Sequence, residues 1–352
     1  MKVISLFSGC GGMDLGFEEA GFEIAYANDI DKDAYATFSA NFPIKMDRRS
    51  ISGINPDEIP DADGIIGGPP CQSWSLAGAL RGEEDPRGKL FYDYARILEA
   101  KKPLFFVAEN VPGIVSSRHI RAFNRILSVL RKPGYDVKWK LIDARNYCVA
   151  QERRRVIIVG FRKDSGISYR FPDPICTKEG ISIDGSVGKW LTLKETIGDL
   201  PAAVPALPKN MPNPEAAVPN HEYMVGAFST IYMSRNRKRG WDSQSYTIQA
   251  GGRHAPLHPD SCGMCKVGPD KFEFTGSGYR RLSVREAARI QGFPDSFVFK
   301  YRNVADGYKV IGNAVPPPLA KAIAESINDA IANRLERHRC AEKIIAMLSA
   351  QK

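Results

Sequence analysis

The 352-residue sequence predicts an α/β protein with a doubly wound, Rossmann-like sheet and a second, smaller irregular domain. Short apolar runs typical of buried strands alternate with stretches of helical periodicity, and a glycine-rich loop separates the first run from the first helical stretch. The predicted strands are residues 2–7, 24–27, 64–66, 104–108 and 156–159. The predicted helices among them are residues 15–20, 31–40, 88–100 and 118–132.

A change of composition divides the chain into three segments. Prolines crowd residues 201–219, and the alternation of helices and strands fades between residues 172 and 278. Helical patterns return at residues 284–290 and 318–335. We therefore expect a first domain over residues 1–171, a second over 172–278, and a C-terminal segment, 279–352, that returns to the first domain.

The net charge and the cysteine content indicate the kind of partner and the cellular compartment to expect. The formal net charge of +9 favours a polyanionic partner such as nucleic acid, although solvated basic faces alone would also produce it. Seven cysteines without a framework spacing indicate free thiols in a reducing compartment. The sequence shows neither a leader nor an apolar run of about 20 residues, so we expect a cytoplasmic protein that does not span a membrane.

The cysteine at position 71 is the first candidate for chemistry. Residues 67–75 read GGPPCQSWS and follow an apolar run. Pro69 and Pro70 cannot continue a helix or a central strand, so the strand ends in a stiff loop with the Cys71 thiol at its tip. A thiol held in this way can act as a nucleophile, whereas the same pattern in isolation would favour an ordinary buried cysteine.

The glycine-rich loop, residues 7–12 (FSGCGG), indicates a ligand site. Glycine lets the backbone approach a ligand, and the start of the next helix offers free N–H groups. Asp29, just beyond the second strand, can accept hydrogen bonds from ribose hydroxyls, so an adenosine-type ligand fits the layout. Phe7 can stack on that ligand or fill the core, and the sequence favours neither reading.

Eight blocks in order resemble the bacterial type II DNA (cytosine-5)-methyltransferases, in particular those that recognise GGCC or interrupted GG-x-CC sites. They are residues 6–12 (LFSGCGG), 28–29 (ND), 68–72 (GPPCQ), 85–91 (DPRGKLF), 109–111 (ENV), 151–155 (QERRR), 291–294 (QGFP) and 312–316 (GNAVP). The resemblance implies a methyltransferase sheet in the first domain and a target-recognition domain over residues 172–278. The C-terminal segment would complete the catalytic domain.

The resemblance also implies that S-adenosyl-L-methionine is the methyl donor and that no metal is required. It places around the cofactor the residues Phe7, Gly9, Gly11, Gly12, Asp29, Ile30, Asp47, Pro70, Leu90 and Asn313, with Asp29 on the ribose. The chain reads Met46-Asp47-Arg48 where the family has Gly-Asp-Ile, so Asp47 ranks below Asp29.

Carbon 5 of cytosine is a poor nucleophile, so the reaction predicts a thiolate that first adds to carbon 6, and Cys71 is the candidate. Glu109 fits as the carboxyl group against the pairing edge of a flipped cytosine. Arg153 and Arg155 alternate before an apolar strand, so we expect them on one face, with Arg155 bonded to the cytosine O2. Without the resemblance, Glu109 would be a turn cap and the arginines a solvated basic edge.

The predicted partner is double-stranded DNA with its target base flipped out of the stack. Residues 75–91 have the glycines and cations of a mobile lid, in which Arg81 and Arg87 would contact phosphates. Arg235, Arg237 and Arg253 match guanine-reading arginines in the resemblance, although each could instead contact a phosphate. We therefore expect a GG...CC palindrome with an undetermined centre, modified by a monomer that protects host DNA against a separate restriction endonuclease.

Alternative interpretations remain at this point. An RNA cytosine-5 methyltransferase would use the same Cys71 and Glu109, and a non-catalytic DNA-binding relative would bind without methyl transfer. A further motif, His-x3-His-x3-Cys-x2-Cys, has the ligand types of a zinc site, although two prolines interrupt it and we expect no metal there. Its residues are His254, His258, Cys262 and Cys265.

Overall fold

The computed structural model describes residues 1–70, 86–180, 187–229 and 231–350. A six-stranded sheet with the order β2-β1-β3-β4-β6-β5 forms its centre. The strands are β1 (Lys2–Leu6), β2 (Glu23–Asn28), β3 (Gly64–Gly67), β4 (Phe105–Asn110), β5 (Tyr135–Asp143) and β6 (Arg154–Arg162). The helices among them are α1 (Gly12–Glu19), α2 (Lys32–Asn41), α3 (Pro86–Lys101) and α4 (Ile120–Arg131).

The predicted α/β class is confirmed, and each of the five predicted strands is present. Strands β1 to β4 are parallel, whereas β6 runs antiparallel to both β4 and β5. The edge strand β5 is an addition to the prediction. Its apolar residues Val137, Trp139 and Leu141 alternate with charged ones, which is the pattern of a half-exposed strand.

Period-two alternation sends the side chains of each strand to two different cores. On one face, Val3, Phe105 and Ile157 pack with α1 and the C-terminal helices. On the other face, Ile4 and Phe106 pack with α3 and α4. Polar residues in the same alternation therefore have a defined face, which decides where the functional side chains lie.

The segment after the central sheet is irregular, as its composition predicts. Its elements are β7 (Cys176–Thr177), β8 (Gly188–Lys189), α5 (Leu193–Ile197), β9 (Val204–Pro205), β10 (Glu222–Tyr223), β11 (Met264–Gly268) and β12 (Lys271–Phe274). They pair as three two-stranded sheets. Backbone hydrogen bonds at Ser245 also join this segment to Ala150 and Glu152, next to the start of β6.

Three helices follow: α6 (Val284–Gln291), α7 (Val304–Asn313) and α8 (Pro317–Ala350). Helix α8 packs closely on α1, where a Cβ atom on Gly16 would lie 2.6 Å from the Cβ atom of Ala320. Asn328 also donates a hydrogen bond to the carbonyl of Ala20. Over the described residues, none of the helices combines the length and apolar character needed to cross a membrane.

Candidate active site

A cavity of about 440 Å³ lies at the carboxyl ends of strands β1 to β4. Ligand sites of α/β sheets typically occur at this edge, and the volume suits a ligand of cofactor size. Eight of the predicted site residues line it: Phe7, Gly9, Asp29, Ile30, Pro70, Leu90, Glu109 and Asn313. The structure thus brings together residues that are up to 306 positions apart in the sequence.

The loop after β1 has an unusual backbone. Phe7 has a φ of 56°, in the left-handed region that non-glycine residues rarely adopt. Gly11, with a φ of 93°, ends the loop where α1 begins. Gly11 and Gly12 do not line the cavity; a Cβ atom on Gly12 would overlap the carbonyl oxygen of Val315, so this glycine allows α1 to pack against the segment after Asn313.

Asp29 is held at the rim of the cavity by the backbone. Its two carboxylate oxygens accept hydrogen bonds of 2.8 Å from the N–H groups of Gly9 and Asp31. Burial raises the pKa of Asp29, and these two hydrogen bonds act in the opposite direction. The remaining lone pairs fit the ribose contact that the sequence predicts.

Asp47 is placed differently from the other predicted cofactor residues. Its carboxylate binds the Arg49 guanidinium at 2.7 Å and accepts a hydrogen bond from the Tyr26 hydroxyl, and it is not part of the cavity wall. The hydrogen bonds from Arg49 lower the pKa of Asp47 to about 2. Arg49 itself lines the cavity, a contribution that the sequence reasoning missed.

Glu109 and Arg155 form a nearly buried ion pair at one side of the cavity. The Arg155 Nε atom lies 2.7 Å from Glu109 Oε1, and the two side chains are 11% and 12% exposed. Glu109 pairs with Ile157 across the sheet, so Arg155 is its diagonal neighbour on the same face. Burial lowers the pKa of Arg155, while the attraction of Glu109 raises it again.

Glu109 and its neighbour Asn110 lie beside the backbone that precedes Cys71. A Cβ atom on Gly68 would be 3.3 Å from Glu109 Oε2, and Asn110 donates a 3.2 Å hydrogen bond to the carbonyl of Pro69. The backbone that leads to position 71 is therefore fixed beside the Glu109 carboxylate. Cys71 itself lies outside the described residues, as do Arg81 and the side chain of Arg87.

Arg153 has backbone carbonyls as its hydrogen-bond partners in this structure. Arg153 is buried, with 1% of its surface exposed. Its guanidinium donates hydrogen bonds of 2.8 to 3.0 Å to three carbonyls. The acceptors are Ile248, Gly312 and Ala314, so Arg153 ties the start of β6 to the backbone on both sides of Asn313. We expected Arg153 and Arg155 to lie together at the target base. In this conformation Arg155 forms the ion pair with Glu109, whereas Arg153 binds backbone carbonyls.

Two further motif residues explain why distant blocks of the sequence meet. Gln151 donates a 2.5 Å hydrogen bond to the side chain of Gln291. Gln291 in turn donates to the carbonyl of Ala314. Both glutamines are fully buried, so the bonds join three of the sequence blocks in the interior.

The predicted DNA-reading arginines differ in exposure. Arg235 and Arg253 are exposed, as a contact with a base or phosphate requires. Arg237 is buried, and its guanidinium donates to the carbonyls of Tyr232 and Ile231 while lying over the Tyr232 ring. In this conformation Arg237 therefore supports the loop that presents Arg235.

The four residues of the His-x3-His-x3-Cys-x2-Cys motif have separate partners. His254 bonds the Ser229 hydroxyl, and the thiols of Cys262 and Cys265 lie near the carbonyls of Gly276 and Glu273 respectively. His258 Nε2 lies 3.6 Å from Glu286 Oε1. Across the described parts of the chain, His, Cys, Asp and Glu side chains form no group of three or more that could hold a metal ion.

Sequence reasoning missed two other polar residues of the cavity wall, Ser5 and Asp14. Ser5 lies on the same face of β1 as Val3, and Asp14 is in the first turn of α1. Asp14 is fully buried, although acidic residues near helix starts are usually solvated. One sequence feature could have identified Asp14: it is the single carboxylate in the otherwise apolar sequence GMDLGF, directly after the glycine-rich loop.

Comparison with solved structures supports the fold. A prophage-encoded DNA modification methyltransferase of Escherichia coli matches with a TM-score of 0.71 and 24% identity, covering 94% of this chain and 99% of that chain. An Entamoeba histolytica methyltransferase matches with a TM-score of 0.65 and 16% identity, covering 95% and 98%. The chain therefore shares the fold of these two methyltransferases.

Sequence comparison then gives the family. The profile of the C-5 cytosine-specific DNA methylases matches residues 1–329. Type II methyltransferase M.MthTI of Methanothermobacter thermautotrophicus is 54% identical over 331 residues, covering 93% of this chain and 97% of that protein. M.NgoPII of Neisseria gonorrhoeae is 53% identical over 336 residues, covering 93% and 95%. The chain belongs to the C-5 cytosine-specific DNA methylase family and is a DNA (cytosine-5)-methyltransferase.

Proposed function

We propose that the enzyme transfers a methyl group from S-adenosylmethionine to carbon 5 of a flipped cytosine in a GG...CC palindrome of double-stranded DNA. The observation that carries this proposal is the buried Glu109–Arg155 pair, which adjoins both the cofactor-sized cavity and the backbone leading to Cys71. A carboxyl group and a guanidinium on one face match the pairing edge and the O2 atom of one cytosine.

The cavity fits the cofactor that the family uses. Asp29 offers free lone pairs beside the glycine loop, and Phe7 provides an aromatic ring on the same wall. When bound there, S-adenosylmethionine supplies an electrophilic methyl group. The protein residues then hold the adenosine at the β1 and β2 ends of the cavity and leave the β3 and β4 ends for the base.

In the proposed chemistry, the Cys71 thiolate adds to carbon 6 of cytosine, and the electron pair of the 5,6 double bond becomes available at carbon 5. Glu109 donates a hydrogen bond or proton at N3, while Arg155 stabilises charge that develops at O2. Carbon 5 takes the methyl group as the methyl–sulfur bond breaks and its electron pair stays on sulfur. Carbon 5 then loses its proton to water, and N3 returns its proton to Glu109. The electrons of the broken C–H bond restore the double bond and expel Cys71 as the thiolate.

The recognition part of the proposal concerns the exposed arginines. Arg235 and Arg253 each offer the two donors that pair with O6 and N7 of guanine in the major groove. Arg81 and Arg87 would contact the phosphates around the flipped nucleotide. We also propose that the enzyme acts as a cytoplasmic monomer and protects DNA from a separate endonuclease of the same specificity.

Base-resolution mapping of 5-methylcytosine tests this function. Plasmid DNA is incubated with the enzyme and S-adenosylmethionine, with Cys71→Ser as the matched variant. We expect methylation confined to one GG...CC motif in the wild type and none in the variant. Tight DNA binding without methylcytosine would overturn the catalytic proposal, and methylation at a different motif would overturn the proposed site.

A further inference from the structure

One carboxyl group of the cavity wall has no use in the chemistry described above. Asp14 is fully buried in the first turn of α1, and within the described residues neither of its carboxylate oxygens has a hydrogen-bond partner of ordinary geometry, although the Ser5 hydroxyl is a neighbouring donor. A buried carboxylate without a partner is costly, because it loses water without gaining a compensating bond. An unpaired carboxylate in the wall of a ligand cavity indicates that a bound ligand supplies its hydrogen-bond donors.

The other carboxylates of the cavity are already satisfied. Asp29 accepts two backbone hydrogen bonds, Asp31 binds Lys309 at 2.5 Å, and Glu109 binds Arg155. The charged neighbours of Asp14 are Glu18 on its own helix and Asp29 from the end of β2, and both are acidic. The free thiol of Cys10 completes its titratable surroundings. Asp14 is therefore matched to a cationic group rather than to an anion.

Ser5, on strand β1, is a second buried polar side chain of the cavity wall whose oxygen is unpaired. It is 1% exposed, lines the cavity on the face that α1 covers, and its hydroxyl has no hydrogen-bond partner of ordinary geometry. A hydroxyl can donate to a carboxylate and accept from a ligand at once. Ser5 and Asp14 thus form an adjacent pair of acceptors at the wall of the cavity.

We propose that Asp14 and Ser5 bind the α-ammonium group at the methionine end of the cofactor, an inference that rests on the proposed cofactor site. The α-ammonium carries three N–H donors. The side-chain oxygens of Asp14 and Ser5 can accept hydrogen bonds from such donors. The sulfonium centre also carries positive charge but has no N–H group. The pair is thus a positioning device that recognises both the methyl donor and its demethylated product.

Calorimetric titration with two probes tests this assignment. One probe is S-adenosylhomocysteine, and the other is its deaminated analogue, in which hydrogen replaces the amino group. We expect the wild type to bind the first probe about 10- to 100-fold more tightly. Asp14→Asn should reduce this ratio to about threefold or less. Glu19→Gln, on the same helix but outside the cavity wall and paired with Lys321 at the surface, should keep it.

The outcomes separate the two proposals. An Asp14→Asn enzyme that keeps the wild-type ratio would overturn the role of Asp14. If that variant does not fold, as judged by circular dichroism, Ser5→Ala decides in its place, and an unchanged ratio would again overturn the assignment. Failure of the wild type to bind either probe would instead contradict the proposed cofactor site.

Discussion

Glu109 and Arg155 meet because the alternation of two neighbouring strands turns both side chains to the same face. β4 and β6 are antiparallel, and the register sets the two residues diagonally across the ladder. Each charge stabilises the other in a site that excludes most water, where a lone charge would be costly. The pair is therefore available to one planar base rather than to bulk solvent.

The Glu109→Gln substitution tests that role. It keeps the size of the side chain but removes the acid, so we expect kcat to fall about 10²- to 10⁴-fold. The affinity for S-adenosylhomocysteine should stay within about twofold, because Glu109 serves the base rather than the cofactor. The control is Arg162→Gln, at the end of the strand that carries Arg155. It breaks an exposed ion pair with Asp164 and should retain wild-type turnover. Equal losses in both variants would contradict the assignment.

The buried Asp14 gives a pH dependence of stability. Burial raises the pKa of Asp14 to about 7, and the Ser5 hydroxyl partly opposes this shift. As the pH rises from about 4 to 7, the unfolded chain releases this proton before the folded protein does, so the ligand-free fold loses stability over that range.

Urea unfolding at pH 5 and pH 8 measures the effect. Asp14→Asn cannot ionise, so its free energy of unfolding relative to the wild type should increase by about 2–4 kcal/mol between pH 5 and pH 8. A difference that stays constant with pH would show that Asp14 does not titrate in this range. Glu19→Gln, which removes an exposed carboxylate from the same helix, provides the comparison.

At the scale of elements, the contact between α1 and α8 completes the domain. Gly16 lets the two helices approach, and Lys321 N would lie 2.6 Å from a Cβ atom placed there. The closeness of this contact was not predictable from the sequence, because nothing in the helical pattern of residues 318–335 specifies its partner. The return of that segment to the first domain was an expectation drawn from the recurrence of helical patterns after residue 278 and from the family resemblance.

Gly16→Ala should destabilise the enzyme by about 1–2 kcal/mol, because the clash with the α8 backbone exceeds the gain in helix propensity. Chemical denaturation measures the change. Gly53→Ala is the control, since a Cβ atom at Gly53 would meet no atom within 4 Å, and it should shift stability by about 0.5 kcal/mol or less. Equal effects at the two glycines would contradict the packing explanation.

The central strands were predictable because they are apolar runs with glycine or proline at their ends, and the acidic residues Asp29 and Glu109 follow from the same runs. The edge strand β5 was missed because its alternating charges resemble a surface segment more than a core strand. The burial of Arg153 was also hidden, since its carbonyl partners Ile248 and Gly312 are brought near only by the tertiary fold. Arg237 was hidden for another reason: it bonds to the nearby carbonyls of Tyr232 and Ile231, in an irregular segment whose local conformation the sequence pattern does not predict.

At the scale of the whole molecule, the net charge of +9 attracts DNA without distinguishing sequences, whereas arginine forks distinguish bases. Arg235→Gln and Arg253→Gln should each reduce the preference for the cognate site by about 10-fold or more. The measurement is kcat/KM on the cognate duplex and on a duplex with one guanine replaced. Arg170→Gln, which alters an exposed ion pair with Asp173, should keep the wild-type preference. A uniform loss on both duplexes would assign the two arginines to phosphates.

The central claim is that Cys71, which follows the backbone fixed beside Glu109, forms a covalent bond to carbon 6 of the target cytosine. A duplex with 5-fluorocytosine at the target tests it directly, because fluorine cannot leave as the proton does and the adduct persists. In the presence of S-adenosylmethionine, mass spectrometry should locate one denaturation-resistant DNA adduct on Cys71. Methyl transfer without an adduct, or an adduct on another cysteine, would contradict the mechanism.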